Sequence, residues 1–145
     1  MSSDAARSKS KSRTSETLRV LIVDDEKHVL VVLERMFDMF AKQSGLKLEL
    51  TKVTDSADAL HFLLKRGKKR DVIFSDVRMP KLTGVDIYNS IKGVKPELLE
   101  RFVFVTAYSG DLLQELPGEK PHVLNKPFNY NQFSEKLNGL LSTQS

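Results

Sequence analysis

The sequence contains no cysteine, which excludes disulfide bonds, thiolate metal sites and cysteine nucleophiles. No apolar run approaches the ~18 residues of a membrane-spanning helix, so we expect no membrane insertion. A strong charge of one sign is also missing, because 23 basic residues stand against 19 acidic ones. Half of the net charge of +4 falls on residues 1–17, and the remainder is too weakly charged for direct nucleic-acid binding. The 145 residues, 40% of them hydrophobic, suit one globular domain.

Residues 1–17 form a basic, serine-rich segment whose only apolar residues are Met1, Ala5 and Ala6. Such a segment cannot bury enough surface to offset the entropy of ordering it, so we expect a disordered tail. It has no apolar core of the kind that a secretory signal needs, and we therefore expect a cytoplasmic protein.

From residue 19 the chain alternates between strand and helix patterns. Short apolar or alternating runs predict strands over 19–25, 46–53, 71–76, 101–106 and 122–126. Apolar residues at helical spacing predict helices over 26–42, 55–65, 85–92, 111–116 and from 130 onward. Thr54 or Asp55 and Asn129 are the candidate caps of the second and last helices.

Alternating strands and helices predict an α/β fold, with a parallel sheet and helices on both faces. The runs over 19–25, 71–76 and 101–106 are continuously apolar, which is typical of central strands. The run over 46–53 alternates and belongs at an edge. This pattern is compatible with a flavodoxin-like three-layer sandwich, strand order 2-1-3-4-5, and no second domain is visible.

Polar residues stand where the predicted strands end: Asp24 and Asp25, Asp76, Thr106 and Lys126. In such a sheet ligands bind at the carboxyl ends of the strands, so we expect these side chains to converge. Carboxylates ~4 Å apart repel by about 4 kcal/mol per pair at an effective dielectric near 20. An all-oxygen cluster favours a hard cation such as Mg²⁺, and the added lysine and hydroxyl suit a phosphoryl group. The pattern indicates a phosphoryl-transfer site with an aspartate nucleophile.

Four segments carry a resemblance to a known family: VLIVDDE (20–26), DVIFSDVRMPKLTG (71–84), FVFVTA (102–107) and LNKPF (124–128). Together and in this order they resemble the receiver domain of two-component response regulators. The resemblance covers about residues 18–141 and implies a receiver domain over 18–142, of the single-domain type.

The resemblance implies the roles of the acidic residues. Asp76 is expected to accept a phosphoryl group from a phosphohistidine of a sensor histidine kinase or histidine phosphotransfer protein. Asp25 is expected to bind Mg²⁺ directly and Asp24 mainly through water, with Asp76 and the backbone carbonyl of Arg78 completing the protein ligands. Mn²⁺ is expected to substitute for Mg²⁺.

The resemblance also implies a switch. Lys126 is expected to pair with Asp76 or its phosphoryl group, and a cis peptide before Pro127 is expected to aim it inward. Thr106 is expected to move toward the phosphoryl group, which the small Ala107 leaves accessible. Arg78 and Tyr108 occupy the positions that tune water attack on the acyl phosphate.

Two features depart from the family. An aromatic residue is usual three positions before the lysine, where this chain has Val123, and Tyr108 or Phe104 could replace it. The interval from Thr106 to Lys126 is also short, and Pro117 with Gly118 cuts the fourth helix. These departures keep a second interpretation open: a phosphorylation-independent, pseudo-receiver binding module.

The leading interpretation is a stand-alone receiver in a phosphorelay, which catalyses only its own phosphorylation and dephosphorylation and signals to a downstream protein. A phosphatase with an aspartyl-phosphate intermediate is disfavoured because Arg78 stands where its general acid would lie. A nucleotide-binding protein of this fold would need a glycine-rich phosphate loop, which the sequence lacks.

Three weaker signals have ordinary explanations. The basic run over 65–70 suits a helix C-terminus, or else a docking patch for an acidic partner. His28, His61 and His122 share no metal-binding spacing, and His61 is expected to be partly buried. The first helix is expected to bury one face in the core, formed by Met36, Phe37, Met39 and Phe40.

Overall fold

The computed structural model of the chain describes residues 16–66 and 71–142, without the side chains of Lys65 and Arg66. Residues 1–15, most of the expected disordered tail, lie outside the described residues, as do residues 67–70 of the basic run. Thr17, which the sequence analysis assigned to the tail, lies in the first strand.

Within residues 16–66 and 71–142, five strands alternate with five α-helices, as the sequence predicts. The strands are β1 (Thr17–Val23), β2 (Lys47–Val53), β3 (Val72–Asp76), β4 (Phe102–Thr106) and β5 (His122–Asn125). The helices are α1 (Lys27–Ser44), α2 (Ser56–Arg66), α3 (Gly84–Val94), α4 (Ser109–Glu115) and α5 (Tyr130–Ser142). A 3₁₀ helix over Pro96–Arg101, which the periodicity did not predict, leads into β4.

The sheet is parallel, and its strand order is β2-β1-β3-β4-β5. The predicted order is therefore confirmed, including the edge position of the alternating β2. The continuously apolar strands β1, β3 and β4 lie in the centre because both of their faces are covered by helices.

The sheet separates two parts of the core. Alternate residues of β1 point to opposite faces, so Val20 and Ile22 pack with α1 and α5, whereas Leu21 and Val23 pack with α2, α3 and α4. On the α1–α5 side the rings of Phe37, Phe74 and Phe133 make edge contacts, with centroids 4.8 to 5.8 Å apart. This two-sided packing holds the carboxyl ends of the central strands at one edge.

Three of the expected burials are wrong. His61 is exposed on α2, and so is Ala57, although its helical spacing from Leu60 and Leu64 predicts an inward-facing side chain. The fully buried apolar residues of α2 are Ala59 and Leu63. Met39 on α1 is 46% exposed. The apolar set of each helix is wider than the stripe that can reach the sheet, so spacing alone does not tell which members are buried.

Among the described residues, no helix is long and apolar enough to cross a membrane.

Candidate functional site

Three carboxylates meet at the carboxyl edge of the sheet. Asp24 and Asp25 follow β1, which ends at Val23 rather than at the acids, and Asp76 is the last residue of β3. One carboxylate oxygen of each lies within 4.8 Å of the other two. In the part of the chain that the structure describes, this is the only group of three acidic or histidine side chains close enough to hold a metal ion.

Asp24 is the buried member of this cluster, with 1% of its surface exposed. Its backbone N–H donates to the Val53 carbonyl at 3.1 Å, which continues the ladder of β1 with β2 for one residue. Its Oδ1 accepts the Glu26 N–H at 2.9 Å, whereas its Oδ2 is buried and has no hydrogen-bond partner among the residues that the structure describes. Burial, with added repulsion from Asp76, raises the pKa of the Asp24 carboxyl to about 6.

The Asp76 carboxylate is attracted by the Lys126 ammonium group and repelled by the Asp25 carboxylate. Its Oδ1 accepts the Val77 N–H at 2.9 Å and lies 4.0 Å from the Nζ of Lys126. Burial raises the pKa of Asp76 above its usual value, and repulsion from Asp25 adds to this, while Lys126 and the Val77 N–H partly oppose the rise. The Asp76 carboxylate is thus 14% exposed and lies close to a positive charge.

Lys126 and Thr106 are connected through the backbone. The Lys126 N–H donates to the Thr106 carbonyl at 2.9 Å. β5 ends at Asn125, so Lys126 is the first residue after the strand and not its last residue, as the sequence analysis expected. The peptide bond between Lys126 and Pro127 is cis. Thr106 is 5% exposed, and its hydroxyl oxygen accepts the N–H of Tyr108 at 3.0 Å. Ala107 between them is exposed.

Arg78 extends away from the acidic cluster to α4. Its Nη2 lies 3.3 Å from Oδ2 of Asp111, in the first turn of that helix, and both side chains are more than half exposed. The pair therefore connects the loop after β3 to the first turn of α4.

Gly84 lies against the backbone of Asp76, a close approach to which the sequence analysis assigned no role. A Cβ atom at this position would lie 2.3 Å from the backbone oxygen of Asp76, so no side chain fits. Thr83 and Asp86 form a reciprocal capping box that starts α3 at this point. The Thr-x-x-Asp spacing in the sequence was the available signal that α3 begins here, close to the end of β3.

The two aromatic candidates for the switch differ in environment. Tyr108 is 64% exposed, whereas Phe104 is fully buried against the rings of Phe102 and Tyr88. Val123 is partly buried and packs against the apolar cluster that contains these three rings. The position that is aromatic in the family therefore lies beside three buried rings.

An apolar groove of about 440 Å³ opens beside the cluster. Val29 and Val32 of α1 form one wall, and Ala107, Pro127 and Phe128 form the other. Lys126 also lines it, so the groove is continuous with the site. Val32 is 44% exposed there.

The histidines lie apart from this chemistry. His61 is exposed, and His28 lines the groove without joining the acidic cluster. His122 starts β5, where burial lowers the pKa of its imidazole.

Comparison with known proteins identifies the family to which this fold and sequence correspond. The family model described as the response regulator receiver domain matches residues 20–138. An uncharacterized response regulatory protein of Vibrio parahaemolyticus is 30% identical over 129 residues, which are 86% of this chain and 49% of that protein. The sensor kinase CckA of Brucella abortus is 29% identical over 90% of this chain and 13% of its own length. The chain thus spans about half the length of the first response regulatory relatives it matches.

Solved structures share the fold. The receiver domain of a sensor histidine kinase from Pseudomonas aeruginosa, solved with a magnesium ion coordinated in its active-site cleft, has a TM-score of 0.72 at 21% identity, covering 87% of this chain and 98% of that one. A receiver domain protein from Clostridium thermocellum has a TM-score of 0.73 at 20% identity, covering 88% and 96%.

Proposed function

The chain belongs to the family of response regulator receiver domains, and from this premise we propose that it accepts a phosphoryl group on Asp76 in a Mg²⁺-dependent reaction. The donor is a phosphohistidine of a sensor histidine kinase or of a histidine phosphotransfer protein. Phosphorylation changes the affinity of the domain for a downstream protein in a phosphorelay in the cytoplasm.

The observation that carries this proposal is the acidic cluster. Three carboxylates have oxygens within 4.8 Å of one another, and Asp24 holds a buried oxygen without a hydrogen-bond partner. Such an arrangement is unfavourable unless a proton or a cation compensates for it. The donor set is entirely oxygen, which suits Mg²⁺ and also Mn²⁺, and we assign the protein ligands to Asp24, Asp25, Asp76 and the backbone carbonyl of Arg78.

In the proposed reaction a carboxylate oxygen of Asp76 attacks phosphorus. The new oxygen–phosphorus bond forms as the phosphorus–nitrogen bond to the donor histidine breaks, and the electron pair stays on the imidazole, which then takes a proton from solvent. Bound Mg²⁺ supplies neutralisation of the phosphoryl oxygens. Lys126, with its Nζ 4.0 Å from Oδ1 of Asp76, supplies a second positive charge at the same place.

Thr106 supplies the proposed switch. Its hydroxyl oxygen accepts the N–H of Tyr108, which leaves the hydroxyl proton for another acceptor. We assign that acceptor to a phosphoryl oxygen on Asp76, which would draw Thr106 and the loop after β4 toward the site. The exposed Ala107 leaves room for the phosphoryl group, and a change of this loop is what a partner would detect.

The groove beside the site supports a protein donor. It is apolar and includes Lys126 and Ala107 in its lining, so a helix that presents a phosphohistidine to Asp76 would cover it. We expect Val32→Asp to slow transfer from such a protein, whereas a small phosphodonor, which does not need the groove, should react at an unchanged rate.

The test is to supply Mg²⁺ and a small phosphodonor and to measure the mass of the intact protein by mass spectrometry. We expect the mass to rise by one phosphoryl group in the wild type and in Asp38→Asn, a variant of an exposed α1 carboxylate paired with Lys42. Asp76→Asn should gain nothing. A wild type that never gains the group, although it is folded, would support the phosphorylation-independent binding module, which the short α4 and Val123 favour.

A further inference from the structure

The loop between β3 and α3 contains a strained turn. Lys81 has a φ of +69°, a left-handed conformation that few residues other than glycine adopt. The Leu82 N–H donates to the Pro80 carbonyl at 2.8 Å, a bond across two residues that closes a γ-turn around Lys81. A backbone in this conformation persists only when its surroundings hold it there.

Ser56, the first residue of α2, bonds both ends of that turn. Its hydroxyl donates to the Pro80 carbonyl at 3.1 Å and accepts the Leu82 N–H at 3.2 Å. The side chain is almost fully buried, with 2% of its surface exposed. A single hydroxyl therefore spans the two peptide groups that flank the strained residue.

Asp55 adds a second, weaker contact to the same turn. Its Oδ1 accepts the N–H groups of Ala57 and Asp58 and so caps α2, while its Oδ2 lies 3.3 Å from the Nζ of Lys81. That ion pair is largely exposed on the lysine side and contributes little. The buried hydroxyl is therefore the contact most able to fix the turn.

The turn lies in the loop that carries proposed ligands of the metal. The loop leaves the sheet at Asp76, is closed at its base by the Gly84 N–H donating to the Val77 carbonyl at 2.8 Å, and contains Arg78. Its base is thus held by α3 and its tip by Ser56 of α2. A shift of the tip would be transmitted along a few backbone bonds to the Arg78 carbonyl.

We propose that Ser56 is a positioning residue of the phosphoacceptor site, which holds the Pro80–Leu82 turn and thereby keeps the loop in the conformation that binds the divalent cation. This role rests on the proposed function, because it concerns the affinity for Mg²⁺. Removing a group that orients the metal ligands without itself binding the metal typically weakens metal affinity by about tenfold or more.

The first experiment measures Mg²⁺ binding by calorimetry, without phosphodonor, together with hydrogen exchange of the Leu82 amide. We expect Ser56→Ala to weaken Mg²⁺ binding roughly tenfold and to speed exchange at Leu82. Ile91→Val, a buried truncation near the far end of α3, should lower stability without changing either quantity. Unchanged Mg²⁺ affinity in Ser56→Ala, with wild-type binding intact, would overturn the role of Ser56 alone. A wild type that binds no Mg²⁺ would overturn the proposed function and this role with it.

The second experiment asks whether Ser56 acts through the strain at Lys81. Lys81→Gly removes the strain, since glycine adopts positive φ freely, whereas Lys81→Ala keeps the Cβ atom and its strain while losing the ion pair with Asp55. We expect the effect of Ser56→Ala on Mg²⁺ affinity to disappear in the Lys81→Gly background and to persist in Lys81→Ala. An equal effect in both backgrounds would overturn the proposed action through the turn.

Discussion

The Nζ atom of Lys126 lies 4.0 Å from Oδ1 of Asp76, although the strands that lead to the two residues are not neighbours. β4 lies between β3 and β5, and the Lys126 N–H is bonded to the carbonyl of Thr106 at the end of β4. The lysine side chain therefore reaches across the end of β4 to Asp76. Its side chain is about a quarter exposed, so its charge is only partly screened by water.

Replacing Lys126 with methionine should slow phosphorylation of Asp76 by a small phosphodonor about tenfold, the equivalent of ~1.4 kcal/mol in the barrier. The reason is the loss of the positive charge that lowers the pKa of Asp76 and would face the phosphoryl oxygens. The initial rate of phosphoryl gain by intact mass measures this. Lys52→Met removes a lysine of the opposite edge strand β2, paired there with Glu34, and should have the wild-type rate. Equal rates in both variants would contradict the assigned role.

Gly84→Ala should destabilise the domain by about 1–3 kcal/mol, because the new Cβ would lie 2.3 Å from the Asp76 carbonyl oxygen and β3 or α3 must shift. Gly93, on the same helix, has nothing within 4 Å of such a Cβ atom. Gly93→Ala should therefore stabilise by about 0.5–1 kcal/mol. Urea unfolding of the two variants measures this difference in sign, and a Gly84→Ala variant as stable as the wild type would disprove the close contact.

The strand order could be predicted from the sequence because the hydrophobic pattern of a strand depends on its position in the sheet. A continuously apolar run such as Val20–Val23 is needed only where both faces are covered, and the alternation over Lys47–Val53 marks a half-exposed edge. The positions of the acidic residues followed from the same reasoning, since parallel strands end at a common edge.

Contacts between loops could not be predicted in this way. Nothing in the local pattern around Ser56 indicates that its hydroxyl bonds a turn 24 residues away, because that contact depends on how α2 meets the loop after β3. The exposure of Met39 and His61 was missed for a related reason: burial depends on the width of the sheet beneath the helix. Helix periodicity carries no information on that width.

The contribution of Asp24 to the unfolding free energy, measured without divalent cations as the difference between the wild type and Asp24→Asn, should fall as the pH rises from about 4 to 7. Asp24 has a pKa raised to about 6 in the fold, against an ordinary 3.8, so in this range the folded protein keeps a proton that the unfolded chain has lost. Ionising this carboxyl costs up to about 3 kcal/mol of stability by pH 7, and the raised pKa of Asp76 acts in the same direction.

Magnesium should reverse that dependence, because a bound cation favours the ionised carboxylates. Urea unfolding at about pH 5 and pH 7, in EDTA and in Mg²⁺, measures both effects. Asp24→Asn should lose less stability than the wild type between these two pH values in EDTA, and Mg²⁺ should stabilise it less. Opposing contributions, such as that of His122 with its lowered pKa, are present in both proteins and drop out of the difference. A difference between the wild type and Asp24→Asn that rises with pH in EDTA would contradict the assigned strain in the acidic cluster.

The lifetime of the phosphorylated protein should depend on Arg78. The Arg78 guanidinium pairs with Asp111 at 3.3 Å, an exposed contact that is easily exchanged for one with a phosphoryl group on Asp76, two residues away. A guanidinium on the phosphoryl oxygens, beside the exposed ring of Tyr108, would hinder water attack. Arg78→Ala should therefore shorten the lifetime by up to about fivefold, as ~1 kcal/mol would give.

The decay of the phosphorylated mass after removal of the phosphodonor measures this lifetime. Asp111→Asn separates the two roles that Arg78 could have, because it breaks the ion pair but keeps the guanidinium free to reach the phosphoryl group. If Arg78 protects the acyl phosphate, Asp111→Asn should decay no faster than the wild type, and Tyr108→Ala should decay faster. If the ion pair matters only by holding α4 in place, Asp111→Asn and Arg78→Ala should shorten the lifetime equally. An unchanged lifetime in Arg78→Ala would exclude any role of this side chain in dephosphorylation.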